Sequence, residues 1–389
     1  MHQRVWAARS GQNDNRSKDF TLTNTGGNTD MKKLLKLTTV MLTVLLSLGA
    51  VTQASADKLK VGFIYIGPPG DHGWTYAHDQ GRLMIDNMLG DHVETTFVEG
   101  VPEGPDADRA IAKLAETGHK LIFTTSFGYM EPTLKVAKRF PDVKFEHATG
   151  YKQADNVSTY SARFYEGRYV QGQIAAKISK SGVIGYIASF PIPEVVRGIN
   201  AFMLGAQSIN PDMKVKVVWV YSWFDPPKEA DAAKVLMDQG ADIITQHTDS
   251  TAALQAAAER GIYAFGQASD MIQFAQDTQL TAILDNWGPY YVKRTVDVLM
   301  GTWSSGDTWD GMGPGMVGMA PYTNMPSDIA MMARATAESI RTGAFHPFTG
   351  PIYNQAGELV VKAGEVAADF PMLATMNFYV QGVDDKLPE

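Results

Sequence analysis

Several short stretches of this chain combine aromatic rings with carboxylates or amides, the pairing needed to hold a flat polar molecule. The first is Gly67-Pro68-Pro69-Gly70-Asp71-His72-Gly73-Trp74. Its glycines let backbone approach a ligand closely, and Trp74 stands where a helix should begin, with its ring free to stack on a heterocycle. Asp71 beside it offers acceptors. Ser126-Phe127-Gly128-Tyr129 supplies a second ring and a hydroxyl, and Phe127 either covers the ligand's other face or lids the core. In Tyr221-Ser222-Trp223-Phe224-Asp225 one of Trp223 and Phe224 is expected to form the opposite wall and the other to fill the core. Such stacking is worth about 1–3 kcal/mol per ring. Asp249 in Gln246-His247-Thr248-Asp249-Ser250 either caps a helix or contacts the ligand. Asp285-Asn286-Trp287 joins a carboxylate to an amide, giving acceptors and donors together. Glu166 either reaches the same cleft or steadies a helix N-terminus through the dipole.

Catalytic patterns are missing. The chain has no Gly-x-Ser-x-Gly elbow, no Gly-x-x-x-x-Gly-Lys-[Ser/Thr] loop and no His-Glu-x-x-His helix. Its cysteine count is zero, which removes disulfides, thiolate catalysis, thiolate-bound zinc and iron–sulfur clusters. His72 and His78, flanked by Asp71 and Asp79, are six apart and would point to different faces of a helix, so no metal is expected. Gly313-Pro314-Gly315-Met316-Val317-Gly318 matches a dinucleotide fingerprint by letter but follows no first strand. No cofactor is expected, and the chain is read as a binding protein, not an enzyme.

The elements that would carry these loops alternate. Strands are expected at Leu59–Ile66, Val93–Val98, Lys120–Thr125, Lys144–Ala148, Val183–Ala188, Val215–Val220, Asp242–Gln246, Ile262–Gly266 and Leu280–Leu284. Helices fall between them at Trp74–Leu89, Asp106–Glu116, Pro132–Arg139, Glu166–Ile178, Val195–Ser208, Lys228–Asp238, Thr251–Arg260 and about 289–300. Alternation of this kind builds parallel sheets flanked by helices, and ligands then sit beyond the carboxyl ends of the strands. The series runs through two rounds separated near Ser161–Tyr165. The fold expected is α/β with two lobes, each a parallel sheet covered by helices, joined by a hinge of crossing strands. Lobe 1 takes 57–163 and 286–315, and lobe 2 takes 164–285 and 316–389. Residues 301–320 and the tail from Arg341 read as connections and an edge ribbon.

Residues 31–56 have the form of a secretory signal: Lys32, Lys33 and Lys36, an apolar run from Val40 to Val51, then Ala54-Ser55-Ala56, with cleavage expected after Ala56. The polar residues 1–30 read as a non-native extension ahead of Met31. Without residues 1–56 the chain keeps 27 basic and 39 acidic side chains, a formal charge of −12. Such a surface repels nucleic acid and anionic membrane and suits a freely diffusing protein, expected to be a monomer.

Gly67–Thr75, Ala162-Arg163-Phe164-Tyr165-Glu166-Gly167, Gly182-Val183-Ile184-Gly185-Tyr186-Ile187 and Gln239-Gly240-Ala241-Asp242-Ile243-Ile244 together resemble the basic membrane protein family of substrate-binding proteins. The resemblance spans nearly all of 58–350. It implies the type I periplasmic-binding-protein fold, partnership with the permease and ATPase of an ABC importer, a periplasmic location, and a purine nucleoside bound between aromatic rings. Where nucleoside-binding members carry Val-Asp-x-Asp, this chain has Gln267-Ala268-Ser269-Asp270. That keeps Asp270 as a candidate contact but puts Ala268 where a ribose-binding aspartate belongs. Asp285 replaces the family's hinge lysine, a second ribose contact. The two losses favour a free nucleobase such as adenine over a nucleoside. Rival readings are a secreted nucleoside hydrolase using Asp71 and Asp249, and a receptor that reports ligand to a sensor.

Overall fold

The structure, a computed structural model, describes residues 57–388, so the expected extension and signal segment lie outside the described residues. Two six-stranded sheets organise the rest. The first contains β1 (Leu59–Ile64), β2 (Val93–Val98), β3 (Leu121–Thr124), β4 (Lys144–Ala148), β5 (Val157–Ala162) and, from much later in the chain, β11 (Asp307–Asp310). Their order is β11-β5-β4-β3-β1-β2, and every pair is parallel. The second contains β6 (Val183–Ala188), β7 (Lys214–Trp219), β8 (Ile243–His247), β9 (Tyr263–Gly266), β10 (Gln279–Asp285) and β12 (Val317–Met319). Its order is β12-β10-β9-β8-β6-β7, with β12 antiparallel to β10 and the other pairs parallel. A small hairpin, β13 (Ile352–Tyr353) with β14 (Leu359–Val361), lies in the tail.

Helices α1 (Trp74–Leu89), α2 (Pro105–Glu116), α3 (Met130–Ala137) and α8 (Gly288–Leu299) pack with the first sheet. Helices α4 (Tyr165–Ile178), α5 (Pro193–Gln207), α6 (Pro226–Asp238), α7 (Ala252–Glu259) and α9 (Ser327–Arg341) pack with the second. The chain passes between the sheets after β5, after β10 and between β11 and β12, and these crossings form the hinge. This is the two-lobe α/β architecture read from the sequence.

Local chemistry explains the elements. Every residue of β3, Leu-Ile-Phe-Thr, is buried, as expected for a parallel strand covered on both faces. In α2, Pro105 occupies the first turn with Asp106 and Asp108, while Lys113 lies in the last, and these three charges complement the helix dipole. Its Ala107, Ile111, Leu114 and Ala115 form the buried face. In the first lobe Phe63 and Phe123 stack at 4.7 Å with Tyr291 beside them. Trp287, fully buried, lies parallel to the His78 ring at 4.8 Å. Aromatic pairs of this kind add about 0.5–1.5 kcal/mol beyond area burial.

Two elements depart from the expected pattern. Strand β5, Val-Ser-Thr-Tyr-Ser-Ala, is rich in hydroxyls, yet it is a central, nearly buried strand. Its polar groups find distant partners: Thr159 Oγ1 donates to Asp307 at 2.6 Å, Ser158 Oγ accepts from Arg294 at 2.8 Å, and the Tyr160 and Tyr291 hydroxyls meet at 2.7 Å. Helix α9 falls in a stretch for which no helix was expected; Ile329, Ala333 and Ile340 form its buried face. Residues 301–320 supply β11 and β12, one edge strand to each sheet, joined through the Gly313–Gly318 turn.

Candidate ligand-binding site

A cavity opens where the carboxyl ends of the two sheets face each other. Ile66, Trp74, Ser126, Phe127 and Thr149 line it from the first lobe; Glu194, Trp223, His247, Asp249 and Gln267 line it from the second. Each ends or follows a strand, so the rule that places ligands beyond strand ends accounts for the whole lining.

The aromatic walls are held in place. Trp74 Nε1 donates to the Thr125 carbonyl at 2.6 Å, and its ring is braced edge-on by His78 and Trp287. The loop before it is set by Asp71, whose carboxylate accepts from the backbone N–H groups of Gly73 (2.8 Å), Thr75 (3.0 Å) and Tyr76 (2.9 Å). Across the cleft, Trp223 packs on Phe190 at 5.0 Å and donates through Nε1 to Glu103 Oε1 at 3.2 Å. The same carboxylate oxygen takes the Ser126 hydroxyl at 2.6 Å and the Gly128 N–H at 2.9 Å. Buried Glu229 supports the second wall, accepting from the Asp225 N–H, the Ser250 N–H and the Ser250 hydroxyl. The lobes also touch where Ser269 donates to the His72 carbonyl and where the His72 and Phe274 rings meet edge-on at 4.7 Å.

The polar side of the cavity is acidic and buried. Burial, reinforced by the nearby carboxylates of Asp71, Glu229 and Asp285, holds Asp249 well above the usual carboxylate range. It therefore favours the protonated carboxyl, which can donate as well as accept. Burial, with Glu194 adding to it and Arg168 opposing it, raises Asp285 in the same direction, and among the described residues both its oxygens lack hydrogen-bond partners. Asp71 is also raised by burial, against the lowering effect of its three backbone donors. His247 is pushed down by burial, so its ring is neutral, with Nε2 lying 3.5 Å from Glu194. The set can hold a neutral heterocycle between rings and meet its edge with both donors and acceptors.

Residues 58–340 match the family of PnrA-like ABC transporter substrate-binding proteins, Bmp. The chain belongs to the Bmp family. It is 67% identical over 342 residues to a purine-binding protein of Brucella abortus (strain 2308), covering 88% of this chain and 97% of that one. A Haloferax volcanii protein named as an ABC transporter glucose-binding protein is 35% identical over 336 residues, covering 86% and 83%. Among solved structures, an ABC transporter solute-binding protein from Aeropyrum pernix K1 superposes with a TM-score of 0.65 at 20% identity, over 74% of this chain and 92% of that one, which establishes the shared fold.

In this Bmp-family chain, Trp74, Ser126, Phe127, Trp223 and Asp249 come together at the cavity. The other residues singled out in the sequence lie off it. Asp71 clamps the start of α1. Phe224 is half-buried and lies toward Gly67. Glu166 accepts from the Met312 N–H at 2.6 Å in the hinge. Asp270, exposed, accepts from Gln279 at 2.7 Å and from the Ile272 N–H at 3.1 Å. Exposed Asn286 donates to the Gly315 carbonyl at 3.1 Å. Asp285 is buried behind the lining. Ala268 carries a positive φ of 63°, and its carbonyl accepts from the Asp285 N–H at 2.9 Å, so the two departures from the nucleoside-binding pattern touch each other.

Ile66, Thr149, Glu194, His247 and Gln267 were missed as contacts. The strand-end rule was available for all of them. Ile66 and Thr149 follow β1 and β4, His247 ends β8, Gln267 follows β9, and Glu194 opens the helix after β6.

Proposed function

We propose that this Bmp-family chain is the periplasmic component of an ABC importer that captures a purine-type ligand, a free nucleobase in preference to a nucleoside. The observation that carries the reading is the cavity itself: Trp74, Phe127 and Trp223 are aromatic walls from both lobes, and Asp249 and Gln267 lie on its polar side. The 67% identity to a purine-binding protein supports the ligand class. Ala268 offers no group to a ribose hydroxyl, which favours the base.

Binding proceeds by hinge closure. A ligand held on one lobe gains its second set of contacts when the lobes meet, and this shifts the population to the closed form. The closed surface is what the permease would recognise, with the ATPase driving uptake. No bond is made or broken. The protein acts as a monomer, exported by the signal at 31–56, and its acidic surface keeps it from nucleic acid.

Thermal melting and calorimetry of residues 57–389 with adenine, guanine, hypoxanthine, uracil, adenosine and guanosine test this. A ligand at a hundredfold its dissociation constant stabilises by about 2.7 kcal/mol. A shift with purine bases that exceeds the shift with nucleosides is expected. A larger shift with nucleosides overturns the base preference, and silence across the panel overturns the purine reading. Release of free base from a nucleoside would turn the reading to a hydrolase.

A further inference from the structure

Arg168, in α4, is fully buried and among the described residues forms no salt bridge, the carboxylates of Asp285 and Glu194 acting on it only through space. Its guanidinium is instead held by neutral groups. Nη1 donates to Gln171 Oε1 and Thr245 Oγ1, each at 3.2 Å, and Nη2 donates to the Gln246 carbonyl at 2.8 Å and to Gln267 Oε1. A guanidinium has donors and no acceptor, so only the oxygen of the Gln267 amide can face it. The amide nitrogen is thereby turned away from Arg168. Gln267 lines the cavity, and among the described residues its Nε2 has no partner.

The choice of glutamine here is informative. A glutamate at 267 would neutralise a buried guanidinium that otherwise has no ion-pair partner, and an unneutralised buried charge is costly. The amide forgoes that neutralisation and keeps two N–H donors. Lone-pair acceptors and protonated carboxyls occur elsewhere in the lining, but an amide clamped at its oxygen can only donate.

We infer that Arg168 is a positioning residue that locks the Gln267 amide with its N–H2 toward the cavity, where it reads an unprotonated ring nitrogen or a carbonyl oxygen of the bound heterocycle. This rests on the purine-type reading above and adds the recognition rule: the ligand presents an acceptor to Gln267. A heterocycle with C–H or N–H at that position is rejected, because it leaves the amide dry and unpaired.

The test pairs protein and ligand changes. Gln267→Glu keeps the acceptor for Arg168 and removes the donors; Gln267→Met removes both without adding charge. Wild type, Q267E, Q267M and Arg168→Met are titrated with adenine, hypoxanthine and 1-, 3- and 7-deazaadenine, while melting of the ligand-free proteins reports folding. In the wild type one deaza analogue should bind at least about tenfold more weakly than adenine. In Q267E and Q267M adenine should weaken to a similar degree and the discrimination between adenine and that analogue should vanish. R168M should lose part of that discrimination, because its amide is free to turn. The melting temperature of ligand-free Q267E should equal or exceed that of the wild type. Full adenine affinity or full discrimination in Q267E and Q267M overturns the assignment while leaving the purine reading intact. A wild type that binds neither bases nor nucleosides overturns the purine reading, and this rule with it.

Discussion

A β-carbon on Gly73 would lie 2.1 Å from the carbonyl oxygen of Asp249. Gly73 belongs to the loop before α1 in the first lobe and Asp249 to the turn after β8 in the second, so the two backbones meet across the cleft. The approach is backbone to backbone, and no rotamer change can relieve it. Only glycine at 73 lets these two backbones come this close.

Gly73→Ala should therefore hold the lobes apart without unfolding either one. Overpacking of this kind costs about 1–3 kcal/mol, here charged to the closed form alone, which corresponds to a loss of affinity of about five- to 150-fold. Calorimetry should show the loss while the melting temperature of the ligand-free protein changes little. Small-angle scattering with ligand should give a larger radius than the wild type. Unchanged affinity would mean that closure does not bring these backbones together.

Trp223 and Glu103 form a second cross-cleft contact, through the indole N–H at 3.2 Å. The bond is exposed, so its contribution is modest, about 1 kcal/mol or roughly fivefold in affinity. Trp223→Phe keeps a ring and removes the donor, and Glu103→Ala removes the acceptor. Each should raise the ligand dissociation rate, and the double variant should fall short of the sum, because the two share one bond. Stopped-flow displacement measures this, and strictly additive effects would separate the two residues.

Burial pushes Glu166 up to about 7, against the lowering by the Met312 N–H and by Arg163. The folded form therefore holds this proton more tightly than the unfolded form does, and stability from this group falls as pH rises from about 4.5 through 7. Glu166→Gln stays neutral and can still accept from Met312. Its melting temperature should exceed that of the wild type at pH 8, by about 1–2 °C for each kcal/mol relieved, and the gain should shrink as pH falls toward 4.5. Buried His78 and His147, which burial pushes down, titrate in the opposite sense, but they are common to both proteins and cancel in the difference.

Much of the fold was legible because its strands are short apolar runs and its helices carry a 3.6-residue face. Strand β5 escaped because its hydroxyls look unsuited to a core until Asp307, Arg294 and Tyr291 arrive from the far end of the chain to bond them. Helix α9 had the spacing, with Ile329, Ala333 and Ile340 on one face, but its neighbourhood of glycine and proline drew attention to loops.

Trp74, Ser126, Phe127, Trp223 and Asp249 could be found from the sequence because strand ends face the cleft and aromatic side chains there have few other uses. Carboxylates and amides were harder, since their lone pairs can go to backbone or to ligand. Asp71, Asp270 and Glu166 spend theirs on loops and hinge, and Asn286 spends an N–H on the Gly315 carbonyl. The sequence by itself determined the alternating elements, the two lobes and the aromatic walls, all of which follow from local pattern. Only the tertiary structure decided that Gly73 touches Asp249 and which way the Gln267 amide turns. Those depend on partners far along the chain, Arg168 being 99 residues from Gln267, and a hydrogen bond has a direction that no local pattern encodes.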